Sequence, residues 1–410
     1  MLKSSINLAP QTPIEAPRVL AYCHDGVGLG HLRRTLNICE AVGKAQPLTS
    51  FLIASGSPYT CLFQHGPRLD FLKLPALTKI DNDTYSSKYL SVSSNQLLKY
   101  RQVLLLETAK HYRPDIVLVD KAPVGVRGEL APTLRWLRTN RPDTRIIFGM
   151  RDIDDVAEVT IRQWAELNVP AMLETCFDEI WVYGSRSLFD VAEQYGLSNG
   201  VRRKLQFMGY LTQRPCKHSA TDAERSGGVL VTVGGGTDGS RLIETYLAAA
   251  AERVSRRGLR TVLVGGPDLP NDRAASLRAK AASIPNLTWL DFEPCMMCRI
   301  REARLVVSMG GYNTLCEIAL NRSRALIIPR TRPRLEQSIR ARLWSQLGIV
   351  DAADPTTLTP EGLADHVLAL LDRGDVSPEG AIDLRGLDRV LDRFNAFRLG
   401  ETSYAAAVSV

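Results

Sequence analysis

The chain has 410 residues, 45% hydrophobic and 23% charged, with 51 Lys plus Arg against 44 Asp plus Glu, a net charge of +7. That length predicts two or three domains with substantial cores, and the composition excludes a disordered chain, a collagen-like fibre and a disulfide-stapled miniprotein. No apolar run approaches the roughly 20 residues needed to span a bilayer, and eight scattered cysteines fit reduced cytosolic thiols.

Residues 1–17 read as a flexible polar arm, without the apolar centre of a signal peptide. From residue 18 short Val/Ile/Leu-rich runs alternate with amphipathic stretches. RVLAYC (18–23), TSFLIAS (49–55), DIVLVD (115–120), RIIFGM (145–150), EIWVYG (179–184) and LQFMGY (205–210) are predicted strands. The spacing of Leu32, Leu36, Cys39 and Val42 predicts a helix after the first of them. The polar stretch 211–228 carries Pro and Gly and reads as an interdomain linker. Beyond it strands at 228–234, 260–266, 286–292, 304–310 and 324–329 alternate with helices near 240–256, 272–283, 312–320 and 335–347. Residues 384–397 read as a closing helix and the rest as a tail. Strands separated by helices, with little alternation inside the strands, mean parallel sheets covered on both faces. The expected fold class is therefore α/β, with two Rossmann-like domains at 18–210 and 229–383 facing a cleft, and 384–410 as a closing appendage.

Two glycine-rich turns follow the first strands of the two halves. HDGVGLGHLRR (24–34) carries Gly26, Gly28 and Gly30, then His31 at a helix entrance. A dinucleotide site wants G-x-G-x-x-G and an acid ending the second strand; here the spacing is G-x-G-x-G and that strand ends in Ser55-Gly56. His31 fits either a helix cap or a general base. VTVGGGTDGS (231–240) offers Gly234, Gly235, Gly236 and Thr237 before a helix, a natural seat for a diphosphate, although Asp238 or Ser240 can equally serve as a plain N-cap.

The stretch 308–350 carries more. Gly310 and Gly311 end a strand, and the next helix sets Asn313, Thr314 and Glu317 within about a turn of one another, Asn313 and Glu317 on one face. A carboxylate there can accept both hydroxyls of a ribose. Seven arginines (322, 324, 330, 332, 334, 340, 342) against one acid, Glu336, read either as a solvated basic face or as anion capture by Arg330 and Arg334 at a strand's carboxyl end. Elsewhere Asp120, Glu129 and the Arg151-Asp152 pair close strands or follow them, as acceptor-side or backup base candidates or as ordinary capping and ion pairing. The long polar stretch 76–95 fits an acceptor-side lid. Cys295-x-x-Cys298 lacks a second pair at zinc spacing and reads as packed thiols.

The 308–350 stretch resembles the donor-binding half of glycosyltransferase family 28, whose best-known member makes the lipid-linked peptidoglycan disaccharide. HDGVGLGH resembles that family's N-terminal Gly-rich loop, although it reads G-V-G-L-G-H where the family has G-G-T-G-G-H. More closely, residues 18–385 are similar to a group of predicted bacterial glycosyltransferases. The resemblance implies a GT-B fold, with acceptor in the first domain and nucleotide sugar in the second. It implies that Gly234–Thr237 hold the diphosphate and Glu317 the ribose. Gly310, Gly311 and Asn313 would lie beside the phosphates, Glu336 and Gln337 would contact the sugar hydroxyls, and His31 is the candidate base. The leading expectation is an inverting, metal-independent transferase using a UDP-sugar such as UDP-GlcNAc as co-substrate, with no other cofactor. No Asp-x-Asp ends a cleft strand, since Asp81-Asn-Asp83 falls in the long loop. The acceptor would be a hydroxyl or amine on a small molecule, peptide or lipid-linked group. Asp120 is the alternative base; a hydrolase or 2-epimerase, or a non-catalytic sensor, is the alternative function. Cytoplasmic location, peripheral contact with the inner membrane face and no nucleic-acid partner complete the expectations; oligomeric state is left open.

Overall fold

The computed structural model describes residues 16–23, 30–62, 65–79, 85–212, 228–373 and 382–398. Gly26 and Gly28, Asp81 and Asp83, and most of the expected linker lie outside them.

The first domain is built on β1 (Arg18–Cys23), β2 (Ser50–Ser55), β3 (Leu69–Lys73), β6 (Ile116–Asp120), β7 (Arg145–Arg151), β8 (Glu179–Tyr183) and β9 (Leu205–Phe207), in the order β3-β2-β1-β6-β7-β8-β9, all parallel. A short antiparallel hairpin, β4 (Leu77–Lys79) and β5 (Tyr85–Ser87), occupies the stretch expected as a lid. Strand β3, in LDFLK, is absent from the sequence-based prediction: its alternating polar residues belong to an edge strand with one open side. The second domain follows with β10 (Val229–Thr232), β11 (Thr261–Val264), β12 (Leu287–Leu290), β13 (Leu305–Ser308), β14 (Ala325–Ile327) and β15 (Asp351–Ala352), in the order β12-β11-β10-β13-β14-β15. In both sheets the order reverses beside the first strand. That reversal opens a crevice at the strands' carboxyl ends, where open α/β sheets take their ligands. The start of the helix at Gly30 and the end of β6 flank the first crevice; the turns after β10 and β13 flank the second.

Central strands are apolar on both faces because helices cover both. Helix Gly30–Ala45 buries Leu32, Leu36, Cys39 and Val42 against β1, as the 3.6-residue spacing requires. The core on this face continues into the second domain through Tyr210, Tyr312 and Trp344, with Tyr210 meeting Trp344 edge-on at 5.1 Å. The closing helix, Gly386–Arg398, finds its partner in the first domain. It leaves the second domain and packs on the first, setting Phe394 and Phe397 on Trp181 and pairing Arg393 with Glu179. Where the chain passes out and back, the two segments are bonded to each other: Tyr210 N donates to Asp383 O at 2.7 Å and Gly386 N to Tyr210 O at 3.1 Å.

Candidate active site

The two crevices face each other across a cleft of about 240 Å³. Its walls include Gly30 and His31 from the first domain, and Gly234, Gly235, Gly236, Thr237, Gly311, Asn313, Thr314, Arg330, Glu336 and Gln337 from the second. Gly310 supports this wall from behind. Its φ of +77° makes the turn out of β13, and a Cβ there would lie 2.6 Å from Ile327.

The loop after β10 owes its shape to glycine. Gly236 has φ +98°, and a Cβ on it would lie 2.5 Å from Gly265 O; one on Gly266 would lie 2.5 Å from Gly234 O. The turns after β10 and β11 thus interlock, tied by Asp268 N donating to Gly235 O at 2.7 Å. The helix that starts at Ser240 follows directly, so its N-terminus stands beside the loop.

On the opposite wall His31 begins the helix after β1 and Asp120 ends β6, so neighbouring strands bring residues 89 positions apart together. His31 Nδ1 lies 2.7 Å from Asp120 Oδ2, with the imidazole 16% exposed and the carboxylate 5%. Arg34, one helical turn after His31, donates from Nε and Nη2 to Asp120 Oδ1 at 2.8 and 2.6 Å. Burial alone would raise the Asp120 pKa, but Arg34 and His31 outweigh it and hold the carboxylate ionised. Nδ1 has two neighbours, Asp120 Oδ2, which only accepts, and Arg34 Nη2 at 2.9 Å, which only donates; with the shorter contact made to the carboxylate, Nδ1 carries the proton and Nε2 is the basic nitrogen of the ring. Burial, opposed by Asp120 and reinforced by Arg34 and Arg151, lowers the His31 pKa to about 4, so the ring is neutral near pH 7. Both oxygens of Asp120, the alternative base in the sequence reading, are engaged: Oδ2 with His31 and Oδ1 with Arg34. Glu129 is likewise structural. Buried beneath the wall, it accepts from Arg101 Nε and Nη2 and from the Tyr22 hydroxyl, each at 2.7 Å.

Three expectations for the second domain change. Glu317 is buried and lines a side pocket with Asn37 and Leu211; Arg33, Arg34 and Asn313 line both that pocket and the main cleft. Asn313 donates to Gly30 O across the cleft at 3.0 Å. Burial raises the Glu317 pKa, and its Oε1 has no hydrogen-bond partner. Arg334 turns away from the cleft to the first domain, 3.4 Å from Asp154 Oδ2 and 3.1 Å from Gln163 Oε1. Arg330 does line the cleft, but Nη1 donates to Asp238 at 2.6 Å and Nη2 to Glu336 at 2.7 Å. The arginine run therefore serves mostly internal acids: Arg340 holds Asp152 through two bonds of 2.7 Å, both side chains 1% exposed. Arg151 and Asp152 do not pair with each other; the first faces the cleft and the second faces Arg340.

Sequence reasoning missed Arg34, Phe292, Met296 and Tyr312 on the walls. Phe292 and Met296 follow β12, and position after a strand end is the signal that could have found them. The Tyr312 ring lies between two guanidiniums, Arg34 at 5.5 Å and Arg340 at 5.7 Å. Cys295 and Cys298 are free thiols, their sulfurs 2.9 Å apart. Among the described residues no group of three or more His, Cys, Asp or Glu is placed to hold a metal, and no helix is long and apolar enough to cross a membrane.

Residues 229–380 match the glycosyltransferase family 28 C-terminal domain. The UDP-N-acetylglucosamine–N-acetylmuramyl-(pentapeptide) pyrophosphoryl-undecaprenol N-acetylglucosamine transferase of Phenylobacterium zucineum (strain HLK1) is 27% identical over 149 residues, 36% of this chain and 41% of that protein. The chain thus spans about two fifths of the length of the curated relatives it matches. A solved glycotransferase of kitacinnamycin is similar in fold, with TM-score 0.58 and 17% identity over 94% of this chain and 96% of its own. So is a putative UDP-N-acetylglucosamine 2-epimerase from Listeria monocytogenes, with TM-score 0.62 and 13% identity over 96% and 99%. The architecture they share with this chain is GT-B.

Proposed function

We propose, from the premise that residues 229–380 belong to glycosyltransferase family 28, that the chain transfers a sugar from a nucleoside-diphosphate sugar, a UDP-sugar such as UDP-GlcNAc, to a hydroxyl or amine with inversion. The observation that carries this reading is the position of the His31–Asp120 pair across one cleft from the interlocked glycine loop. His31 Nε2 takes the proton of the acceptor O–H or N–H. The freed electron pair forms the bond to the anomeric carbon, and the bond from that carbon to the diphosphate breaks with its electrons leaving on the diphosphate. Backbone amides of Gly235 and Thr237 and those at the start of the helix after Gly311 stabilise that charge where it develops, a task that then needs no metal. Glu336, held ionised with a pKa lowered to about 2 by Arg151, Arg330 and Arg340 against the effect of burial, keeps Oε2 unpartnered for a sugar hydroxyl. The acceptor meets the first-domain wall. The relative's acceptor is pyrophosphoryl-undecaprenol linked, so a lipid-linked acceptor with peripheral contact at the inner membrane face is the form of the reading that we favour.

The test is a thermal-shift panel of UDP, dTDP and GDP and their sugars against NAD, followed by turnover assays. Stabilisation by one nucleotide family and none by NAD is expected; no shift with any nucleotide sinks the reading. Consumption of the donor with no acceptor present would favour a hydrolase or 2-epimerase on the same scaffold.

A further inference from the structure

The proposed reaction releases a diphosphate, and the second-domain guanidinium best placed to receive it, Arg330, is already divided between Asp238 and Glu336. The other cleft arginines can be taken in turn. Arg340 and Arg34 are each committed through two nitrogens to a buried carboxylate. Arg33 faces Glu317 in the side pocket. Arg151 differs. It is the last residue of β7 in the first domain, and its side chain is only 12% exposed. Its Nε is buried with no partner, as are Arg330 Nε and Arg340 Nη1, but unlike those two arginines it hydrogen-bonds no carboxylate: Asp154 and Glu336 lie 3.7 and 3.9 Å away. A guanidinium so enclosed with its donors unspent is costly, unless something outside the protein completes it.

Its location says what that is. Glu336 Oε1 has Arg330 at 2.7 Å and Arg151 at 3.9 Å, and Arg330 in turn holds Asp238, two residues beyond Gly236 of the diphosphate loop. Arg151 therefore stands across the narrow cleft from that loop. It also stands close enough to His31 for its charge to oppose protonation of the ring.

We propose that Arg151 is the cation that grips the β-phosphate of the donor, supplied by the domain opposite the one that binds the nucleotide. This rests on the nucleotide-sugar reading above and adds to it the group that receives the departing charge. A planar fork of donors suits two phosphate oxygens at once, and the bond exists only when both domains face the same ligand. Leaving-group stabilisation is thereby made conditional on the acceptor domain being in place.

The experiment compares each nucleoside diphosphate of the set UDP, dTDP and GDP with its own monophosphate by calorimetry, in the full-length wild type, R151Q, R151K and R33Q. For the pair that binds, R151Q is expected to weaken the diphosphate at least tenfold and the monophosphate less than threefold. R151K should fall between R151Q and wild type, and R33Q should leave the diphosphate-to-monophosphate ratio unchanged. A ratio in R151Q within twofold of wild type overturns the proposal. If R151Q does not fold, R151K decides: a drop in the ratio of threefold or more supports the assignment and an unchanged ratio overturns it. If no diphosphate binds the wild type, the nucleotide-sugar reading itself fails and takes this proposal with it, an outcome distinct from tight binding with an unaltered ratio.

Discussion

Replacing Asp120 by Asn keeps the shape of the side chain and removes its charge. Its amide would then face His31 Nδ1, forcing the ring into the tautomer with the proton on Nε2. The expected result is a fall in kcat of about 10²- to 10⁴-fold with nucleotide affinity nearly unchanged, read by steady-state kinetics beside calorimetry. His31 also leaves a signature in stability. Its pKa falls from 6.5 in the unfolded chain to about 4 in the fold, so between those values the unfolded state binds more protons. Stability from this group is complete above pH 6.5 and is lost as pH falls towards 4, on the order of 1–3 kcal/mol in all. H31Q should flatten that part of the curve, measured by urea unfolding at pH 4.5 and 7. At this scale the sequence exposed some roles and hid others. His31 was legible because glycine-rich turns after a first strand advertise a ligand, but the pairing of His31 with Asp120 depends on β1 lying beside β6, which spacing along the chain does not state. The acids that Arg330 and Arg334 meet, Asp238, Asp154 and Asp155, arrive from elsewhere in the chain, and a run of like charge says nothing about them.

At the level of elements, the loop after β10 offers a sharp comparison. Gly234 and Gly236 both have positive φ, but a Cβ on Gly234 meets nothing within 4 Å, whereas one on Gly236 runs into backbone. G234A should cost about 1 kcal/mol, the left-handed backbone penalty alone. G236A should cost more than twice that and abolish nucleotide binding, because the loop must pull away from Gly265; melting curves with and without UDP distinguish the two. The central parallel strands were read in their places, those of the second domain each three residues too long, since a strand buried on both faces is a continuous apolar run that little else imitates. The edge strand β3 and the β4–β5 hairpin were not, because an element with an open face mixes polar and apolar residues as a loop does.

For the whole molecule, the domains are joined by charge as well as by apolar packing. The Arg340–Asp152 pair crosses the interface fully buried, so R340A, which strands the Asp152 carboxylate, should destabilise the chain by about 3–5 kcal/mol with little dependence on salt. F394A removes a ring from Trp181 and should cost about 3 kcal/mol, and its effect belongs to the first domain although the residue lies at the far end of the chain. Two linear halves were legible from the repeated βα pattern; the return of the last helix was not, because an amphipathic helix does not announce which domain supplies its partner. That return has a mechanical consequence. Residues 210–212, after the first domain's last strand, and 382–386, before the last helix, are hydrogen-bonded side by side. The chain thus leaves the first domain and returns to it at one corner, and a swing of the halves that admits a ligand would turn about that corner. The far rim, where the Tyr59 hydroxyl donates to Asp268 at 2.5 Å, would travel furthest.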